Sequence, residues 1–213
     1  DFARHYGLYE AIRFGTEVVR AEREGSTWVV RFDRGVEVRY GGLFVCSGNT
    51  WDPNMPDYPG RFTGEVIHSV RYQHSDQFRD KRVLVVGGGN SGCDIACDAA
   101  TAGQSALISL RRGYHFIPKY VLGMPADVFA GKASMPLWIE QRLFGALLRV
   151  IVGDLTAYGL EKPDHRVMES HPIMNTQILH HLGHGDLQAR RDIARLDGST
   201  VHFVDGRSDE VDM

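Results

Sequence analysis

The chain has 213 residues, a formal net charge of −3 at pH 7 and three cysteines, with 43% hydrophobic and 24% charged residues. This length accommodates one large domain, or one domain with parts of a second, and the composition is that of an ordinary globular protein. The charge balance gives no general attraction to nucleic acid, and three separated cysteines exclude a disulfide scaffold. No apolar run is long enough for a membrane span. We expect a cytoplasmic protein that does not associate with membranes; the oligomeric state stays open.

The N-terminal residues 1–48 are expected to form a helix followed by an antiparallel meander. A helical stretch at 5–12 precedes short valine-rich runs separated by glycine-containing turns, a pattern typical of adjacent antiparallel strands. The runs cover residues 16–23, 27–33 and 36–40. The continuous apolar run 43–46 predicts a buried strand. The proline-rich stretch 47–60 predicts an extended connection between two domains.

The clearest unit in the chain is a strand, a glycine turn, a helix and a second strand. Residues 83–86 are a run of valine and leucine, 93–102 is alanine-rich without proline, and 106–110 is again mainly apolar. Gly103 follows the helical segment, where glycine commonly ends a helix. This order predicts a βαβ unit with parallel strands, and therefore an α/β fold of the Rossmann type.

The turn between the first strand and the helix has the pattern Gly87-x-Gly89-x-x-Gly92. The first glycine makes a tight turn, the second lets a diphosphate approach the backbone, and the third lets the helix pack closely on the strand. The N–H groups at the start of the helix then face the phosphates. Asn90 and Ser91 stand at the helix entrance and are expected to add side-chain donors. The alternative is a glycine-rich turn that binds nothing.

Two arginines after the second strand indicate which dinucleotide binds. An NAD site usually has an acidic residue here, which accepts from the ribose hydroxyls. Arg111 and Arg112 have only donors, which suit a 2′-phosphate. The sequence therefore predicts NADP(H) over NAD(H), with a solvated basic turn as the alternative.

The rest of the chain is less regular. Residues 137–152 predict an amphipathic helix, and 175–182 predict another helix, ended by Gly183. Residues from 200 onward predict a hairpin with its turn at 205–206. We expect the apolar stripe of the first helix to pack on the domain; the alternatives are a substrate path and a membrane surface.

Neither the histidines nor the cysteines predict a metal or redox site. His180 and His184 are four residues apart, a workable spacing for metal ligands on a helix. However, Gly183 is expected to break the helix between them, and no cysteine or carboxylate-rich set joins them. Cys93 and Cys97 follow the glycine turn, and we expect both to pack as small buried residues. We therefore predict no metal site.

The segment before the βαβ unit reads Phe62-x-Gly64-x-x-x-His68-x-x-x-Tyr72. It resembles the fingerprint of the flavin-containing monooxygenases, the class B flavoprotein monooxygenases. The Baeyer–Villiger branch of that family typically has tryptophan at the last position, so Tyr72 is similar to the branch that oxygenates nitrogen or sulfur. Phe62 and Tyr72 are expected to anchor the motif by packing. Gly64 is expected to supply a backbone turn, and His68 to hydrogen-bond across the joint between two domains.

The resemblance implies an enzyme that uses NADPH, FAD and O₂ to oxygenate a small nucleophile at an amine nitrogen or a sulfide sulfur. The cofactors would carry out the chemistry, and the protein would supply position and exclude water. Ser47 and Gly48 are similar to the segment where the chain leaves the flavin domain, and are expected to lie at the cofactor. No catalytic side chain is assigned.

The chain departs from the family pattern because it lacks the earlier glycine turn that holds the FAD diphosphate. We therefore expect an internal fragment in three parts. They are a partial FAD-domain segment at 1–48, an NADPH-binding domain with an insertion at 49–170, and a segment at 171–213 that returns to the FAD domain. We expect this chain alone to bind FAD weakly or not at all. The alternatives are another NAD(P)H-dependent flavoprotein reductase and a nucleotide-binding module without catalysis of its own.

Overall fold

The computed structural model describes residues 2–48, 52–121, 123–126 and 136–213. The chain divides into two compact units, Asp1–Asp52 and Pro53–Met213. Residues 49–51, part of the predicted connection between domains, lie outside the described residues. Among the described helices, none combines the length and the apolar character that crossing a membrane requires.

The first unit has a short helical part and a three-stranded sheet. Its elements are the helix α1 (Phe2–His5), a 3₁₀ helix (Leu8–Ala11) and the strands β1 (Val18–Glu24), β2 (Thr27–Phe32) and β3 (Glu37–Tyr40). The strands pair antiparallel in the order β1-β2-β3, which confirms the predicted meander. The single helix predicted at 5–12 is wrong, because Gly7 has a left-handed φ of 63° and interrupts it.

The strand predicted at 43–46 is also wrong. The run has no strand conformation, and Phe44 and Val45 are 93% and 79% exposed. A continuous apolar run forms a buried strand only where neighbouring strands pair with it and both its faces are covered. In the described part of the first unit, the sheet consists of β1, β2 and β3 and leaves this run unpaired.

The second unit contains helices and both parallel and antiparallel strands. Its described strands are β4 (Gly60–Phe62), β5 (Arg82–Val86), β6 (Ser105–Ser109), β7 (Tyr120–Val121), β8 (Met124–Pro125), β9 (Leu187–Arg190), β10 (Ile193–Gly198), β11 (Thr200–Phe203) and β12 (Ser208–Glu210). Its described helices are α2 (Asn90–Ala102), α3 (Leu137–Ile151) and α4 (Gln177–His184), with 3₁₀ helices at Ser69–Arg71, Ser75–Phe78 and Leu155–Tyr158.

Three strands form a parallel sheet in the order β5-β6-β9, and α2 connects β5 to β6. This confirms the predicted βαβ unit and the α/β fold. The segment 171–213 contributes β9 to this sheet. A second sheet has the order β12-β11-β10-β4, and its antiparallel pairing of β11 with β12 confirms the predicted hairpin.

The parallel sheet packs on both faces, because successive side chains of a strand point in opposite directions. Ala106 and Ile108 of β6 pack in one cluster with residues of α2 and α4. Leu107, between them, packs with Val201 and Phe203 of the second sheet. Burial of both faces explains why the three central residues of β6 are all apolar.

The helix α4 does not end at Gly183, as the sequence predicts. It continues to His184 and ends at Gly185, which has a left-handed φ of 85°. A glycine inside a helix costs about 1 kcal/mol relative to alanine. Ile178 and Leu182 on the inner face of α4 are buried, and their burial outweighs this cost.

The apolar stripe of α3 packs only in part. Phe144 and Leu148 are buried in a cluster with Val167. Trp138 and Leu143, which belong to the same predicted stripe, are 59% and 58% exposed. The prediction that the stripe packs on the domain is therefore confirmed only for its central part.

An ion pair joins the start of β5 to the residues that follow β12. Arg82 donates to Asp212 from Nε at 2.9 Å, from Nη2 at 2.7 Å and from its backbone N–H at 2.8 Å. These hydrogen bonds from Arg82 lower the pKa of Asp212 from 3.8 to about 2. The carbonyl oxygen of Asp212 accepts from the N–H of Glu65 at 2.9 Å. Asp212 thus links three segments of the second unit.

We expect Asp212→Asn to destabilise the chain at pH 7, by an amount that shrinks at low pH. The folded-state pKa lies below the unfolded value, so the ionised carboxylate stabilises the fold above about pH 4 and loses this contribution as the pH falls towards 2. Urea unfolding of both proteins at several pH values measures the difference in free energy of unfolding. A difference that stays constant between pH 7 and pH 2 would contradict the role of the charge.

Candidate nucleotide-binding site

The glycine turn lies at the carboxyl end of β5 and leads directly into α2. Gly87 has a φ of +109°, a conformation that residues with side chains rarely adopt. A Cβ atom at Gly92 would lie 2.2 Å from the carbonyl oxygen of Gly87, so only glycine allows this approach of helix and strand. A Cβ atom at Gly89 would have no heavy atom of the described residues within 4 Å, apart from its chain neighbours. The backbone itself requires the first and third glycines, whereas the second borders open space.

The start of α2 is suited to an anion. Gly89 is its N-cap residue, and no side chain of the described residues caps the helix there. The first N–H groups of a helix lack partners within the helix, and the helix dipole adds partial positive charge at that end. An uncapped helix terminus beside an open glycine fits the diphosphate of a dinucleotide.

Gly88, which the motif leaves unspecified, also lies in a closely packed position, where a side chain would displace Leu110 and Tyr114. A Cβ atom there would lie 2.5 Å from Cδ2 of Leu110 and 2.7 Å from Cε2 of Tyr114. The N–H of Gly87 donates to the carbonyl of Ser109 at 3.0 Å, so the end of β6 supports the turn. The run of three consecutive glycines is the signal in the sequence that could have identified this residue.

Asn90 and Ser91 differ in their contacts at the helix entrance. The Oδ1 atom of Asn90 accepts from the N–H of Met174 at 2.8 Å. The side chain of Ser91 is exposed and has no hydrogen-bond partner among the described residues. Asn175, which is only 4% exposed, donates from Nδ2 to Asp94 at 2.6 Å. The segment before α4 is therefore fixed against the first two turns of α2, a role of Asn90 that the sequence did not reveal.

The two arginines after β6 have different surroundings. Arg112 donates to Oδ1 of Asp164 from Nε at 3.0 Å and from Nη2 at 2.6 Å, and its Nη2 lies 2.7 Å from Nδ1 of His165. Hydrogen bonds from His165 and Arg112 lower the pKa of Asp164. Arg111 is exposed and forms no hydrogen bond or ion pair with the described residues. Of the two guanidinium groups, that of Arg111 is open to a ligand.

A cavity of about 620 Å³ in the second unit brings the glycine turn and the fingerprint together. The lining residues from the two motifs are Gly87, Gly89, Gly92, Phe62, His68 and Tyr72. Tyr58 also lines this cavity. Burial raises the pKa of Tyr58, the charge of Asp192 raises it further, and the charge of Arg111 opposes the change. The open arginine is therefore electrostatically coupled to a residue of the cavity wall.

The first half of the fingerprint is held by backbone contacts. The chain bends at Gly64, where a Cβ atom would lie 2.4 Å from the carbonyl oxygen of Asp212 and 2.5 Å from Cζ of Phe62. His68 caps a 3₁₀ helix, since its Nδ1 accepts from the N–H of Val70 at 3.2 Å. Glycine at position 64 thus allows the bend to lie against the carbonyl of Asp212. His68 contacts the backbone only two residues further along the chain.

Tyr72, the last residue of the fingerprint, contacts α2. Its hydroxyl donates to Oδ2 of Asp98 at 2.6 Å, and its ring stacks on Phe78 with centroids 5.1 Å apart. Burial, followed by the hydrogen bond to Asp98, raises the pKa of Tyr72. The fingerprint is therefore attached to the same helix that begins at the glycine turn.

The remaining predicted residues have simpler environments. Cys93 and Cys97 are buried, which confirms their predicted packing, and burial raises their pKa values to about 12 and about 11. Thiols with such pKa values are poor nucleophiles and poor metal ligands at neutral pH. Ser47 and Gly48 are exposed residues of the first unit. Their contribution to a flavin site stays a prediction.

We expect Tyr72→Phe to lower the free energy of unfolding by about 1 kcal/mol, because it removes the hydrogen bond to Asp98 and keeps the aromatic ring on Phe78. Urea unfolding at neutral pH measures the change. Asp98→Asn is the matched control, since it keeps an acceptor for the phenol and should cost less. Equal stability of Tyr72→Phe and the parent chain would show that this bond does not hold the fingerprint on α2.

The whole chain, residues 1–213, matches the family FMO-like, described as flavin-binding monooxygenase-like. The probable indole-3-pyruvate monooxygenase YUCCA9 of Arabidopsis thaliana is 29% identical over 228 residues, covering 100% of this chain and 54% of the relative. Flavin-containing monooxygenase 5 of Homo sapiens is 28% identical over 231 residues, covering 99% of this chain and 43% of the relative. The chain spans about half the length of the curated relatives it matches.

Solved structures of flavin monooxygenases share the fold. An oxidized steroid monooxygenase bound to NADP has a TM-score of 0.72 and 21% identity, covering 99% of this chain and 53% of that protein. A flavin-containing monooxygenase from Stenotrophomonas maltophilia has a TM-score of 0.65 and 18% identity, covering 99% of this chain and 52% of that protein. These likenesses agree with the α/β architecture. From the match over its full length, the chain belongs to the flavin-binding monooxygenase-like family.

Proposed function

We propose that this chain is the NADPH-handling part of a flavin-dependent monooxygenase, which uses NADPH and O₂ to oxygenate a small nucleophile at an amine nitrogen or a sulfide sulfur. The observation that carries the proposal is the open backbone at Gly89, at the uncapped start of α2 and on the cavity shared with the fingerprint. In the complete protein, NADPH supplies the hydride and FAD supplies the oxygen chemistry.

The residues of this chain bind and orient the cofactor. The N–H groups between Gly87 and Gly92 hold the diphosphate. Arg111 pairs with the 2′-phosphate, for which a planar guanidinium is well suited. Arg112, through its ion pair with Asp164, fixes the loop that presents Arg111. Apolar residues of the cavity wall exclude water from the bound cofactor.

We assign residues 1–48, including Ser47 and Gly48, to the flavin domain and 49–170 to the NADPH-binding domain. The segment 171–213 adds β9 to the parallel sheet. We assign this segment to the return of the chain to the flavin domain. With a single diphosphate-type turn, this chain alone binds NADPH and little or no FAD. A stoichiometric flavin spectrum of the purified chain would contradict this assignment.

Oxygenation distinguishes this function from that of another NAD(P)H-dependent flavoprotein reductase. Both would have the glycine turn, but the fingerprint and the family match over residues 1–213 support the monooxygenase. The test is oxygen uptake by the full-length protein with NADPH and either an amine or a thioether. We expect an N-oxide or a sulfoxide, identified by mass spectrometry. NADPH oxidation without an oxygenated product would favour the reductase.

We expect Arg111→Ala to weaken NADPH binding by about tenfold and to leave NADH binding almost unchanged, because it removes a charge-assisted hydrogen bond to the 2′-phosphate. Arg112→Ala is the matched comparison and should have the smaller effect, since Asp164 already occupies that guanidinium. Calorimetric titration of both dinucleotides into this chain measures the ratio of affinities. If neither substitution changes the ratio, the assignment of NADPH is wrong.

A further inference from the structure

A pair of histidines lies on the exposed side of α4. His180 and His184 are four residues apart, both are exposed, and the centroids of their imidazole rings are 4.1 Å apart. Side chains at this spacing are neighbours on one face of a helix. Two imidazoles held side by side are suitable ligands for Zn²⁺, Ni²⁺ or Cu²⁺.

A hydrogen bond determines which nitrogen of His184 can bind a metal. Its Nδ1 lies 2.9 Å from the carbonyl oxygen of His180. Because a carbonyl only accepts, Nδ1 carries the hydrogen and Nε2 carries the lone pair. Metal-binding histidines commonly have this arrangement, in which the second ring nitrogen donates to a backbone carbonyl or a carboxylate.

The helix that carries the pair is held firmly on its other side. Ile178 and Leu182 are buried in the cluster that covers the parallel sheet. His181, between the two exposed histidines, points inward, with 12% of its side chain exposed and its Nδ1 3.5 Å from Oδ2 of Asp186. The backbone of α4 is therefore fixed where it carries the outward pair, which reduces the entropy cost of binding.

We propose that His180 and His184 together bind one divalent transition-metal ion, with water in the remaining coordination positions. Within the described ranges, no group of three or more His, Cys, Asp or Glu side chains is placed to hold a metal ion. The proposed site therefore uses two protein ligands. The sequence argued against the pair on two grounds, a helix break at Gly183 and the lack of a cysteine or carboxylate partner set. The structure removes the first, since the helix continues through Gly183. A bound ion cross-links the last turn of α4 and stabilises the folded chain.

The test is calorimetric titration of CuCl₂ and of ZnCl₂ into this 213-residue chain at neutral pH. We expect one ion per chain, with Cu²⁺ bound more tightly than Zn²⁺. His180→Ala and His184→Ala should each weaken binding by ~100-fold, because each removes the chelate. The electron paramagnetic resonance spectrum of the Cu²⁺ complex should show two coordinated nitrogens in the parent chain and one in either variant.

His171→Ala is the matched control, since His171 is an exposed histidine outside α4. It should bind both ions as tightly as the parent chain does. Circular dichroism confirms that each variant is folded; both histidines of the pair are exposed, so alanine creates no cavity. The proposal is overturned if either α4 variant binds Cu²⁺ as tightly as the parent chain, or if His171→Ala weakens binding equally.

Discussion

The second unit depends on one close contact, between the first turn of α2 and the carboxyl end of β5. The carbonyl of Gly87 occupies the position where any side chain at residue 92 would begin. This approach brings the start of the helix to the end of the strand and leaves the backbone at Gly89 uncovered. This geometry suits an anion even without a charged side chain, because the helix terminus supplies free N–H groups.

A row of polar residues on one face of α2 attaches the surrounding segments to it. Asn90, Asp94 and Asp98 are spaced by four residues, so they lie along one side of the helix. Asn90 accepts from the segment before α4, Asp94 accepts from Asn175, and Asp98 accepts from Tyr72 of the fingerprint. The family fingerprint and the segment before α4 therefore both position the glycine turn, through the helix that they share.

The βαβ unit and the terminal hairpin could be predicted because their sequences satisfy local rules: apolar strands, an alanine-rich helix and glycine at turns. The sequence did not predict β9, the third strand of the parallel sheet. Two failures came from tertiary context. The apolar run 43–46 has no strand to pair with in the described part of its unit, and Gly183 stays helical because the residues around it are buried. The unequal roles of Arg111 and Arg112 could not be predicted either, since Asp164 is 52 residues away from its partner in sequence.

The central claim is that the backbone at Gly89 binds a diphosphate. The measurement that tests it most directly is titration of NADPH into the Gly89→Ala variant, with Gly92→Ala as the comparison. Gly89 has an ordinary φ of −72° and open space around it, so alanine should leave the thermal unfolding midpoint unchanged and still weaken NADPH binding by more than about tenfold. Gly92→Ala should lower the midpoint itself, since its methyl group meets the Gly87 carbonyl. A Gly89→Ala chain that binds NADPH as tightly as the parent would contradict the account.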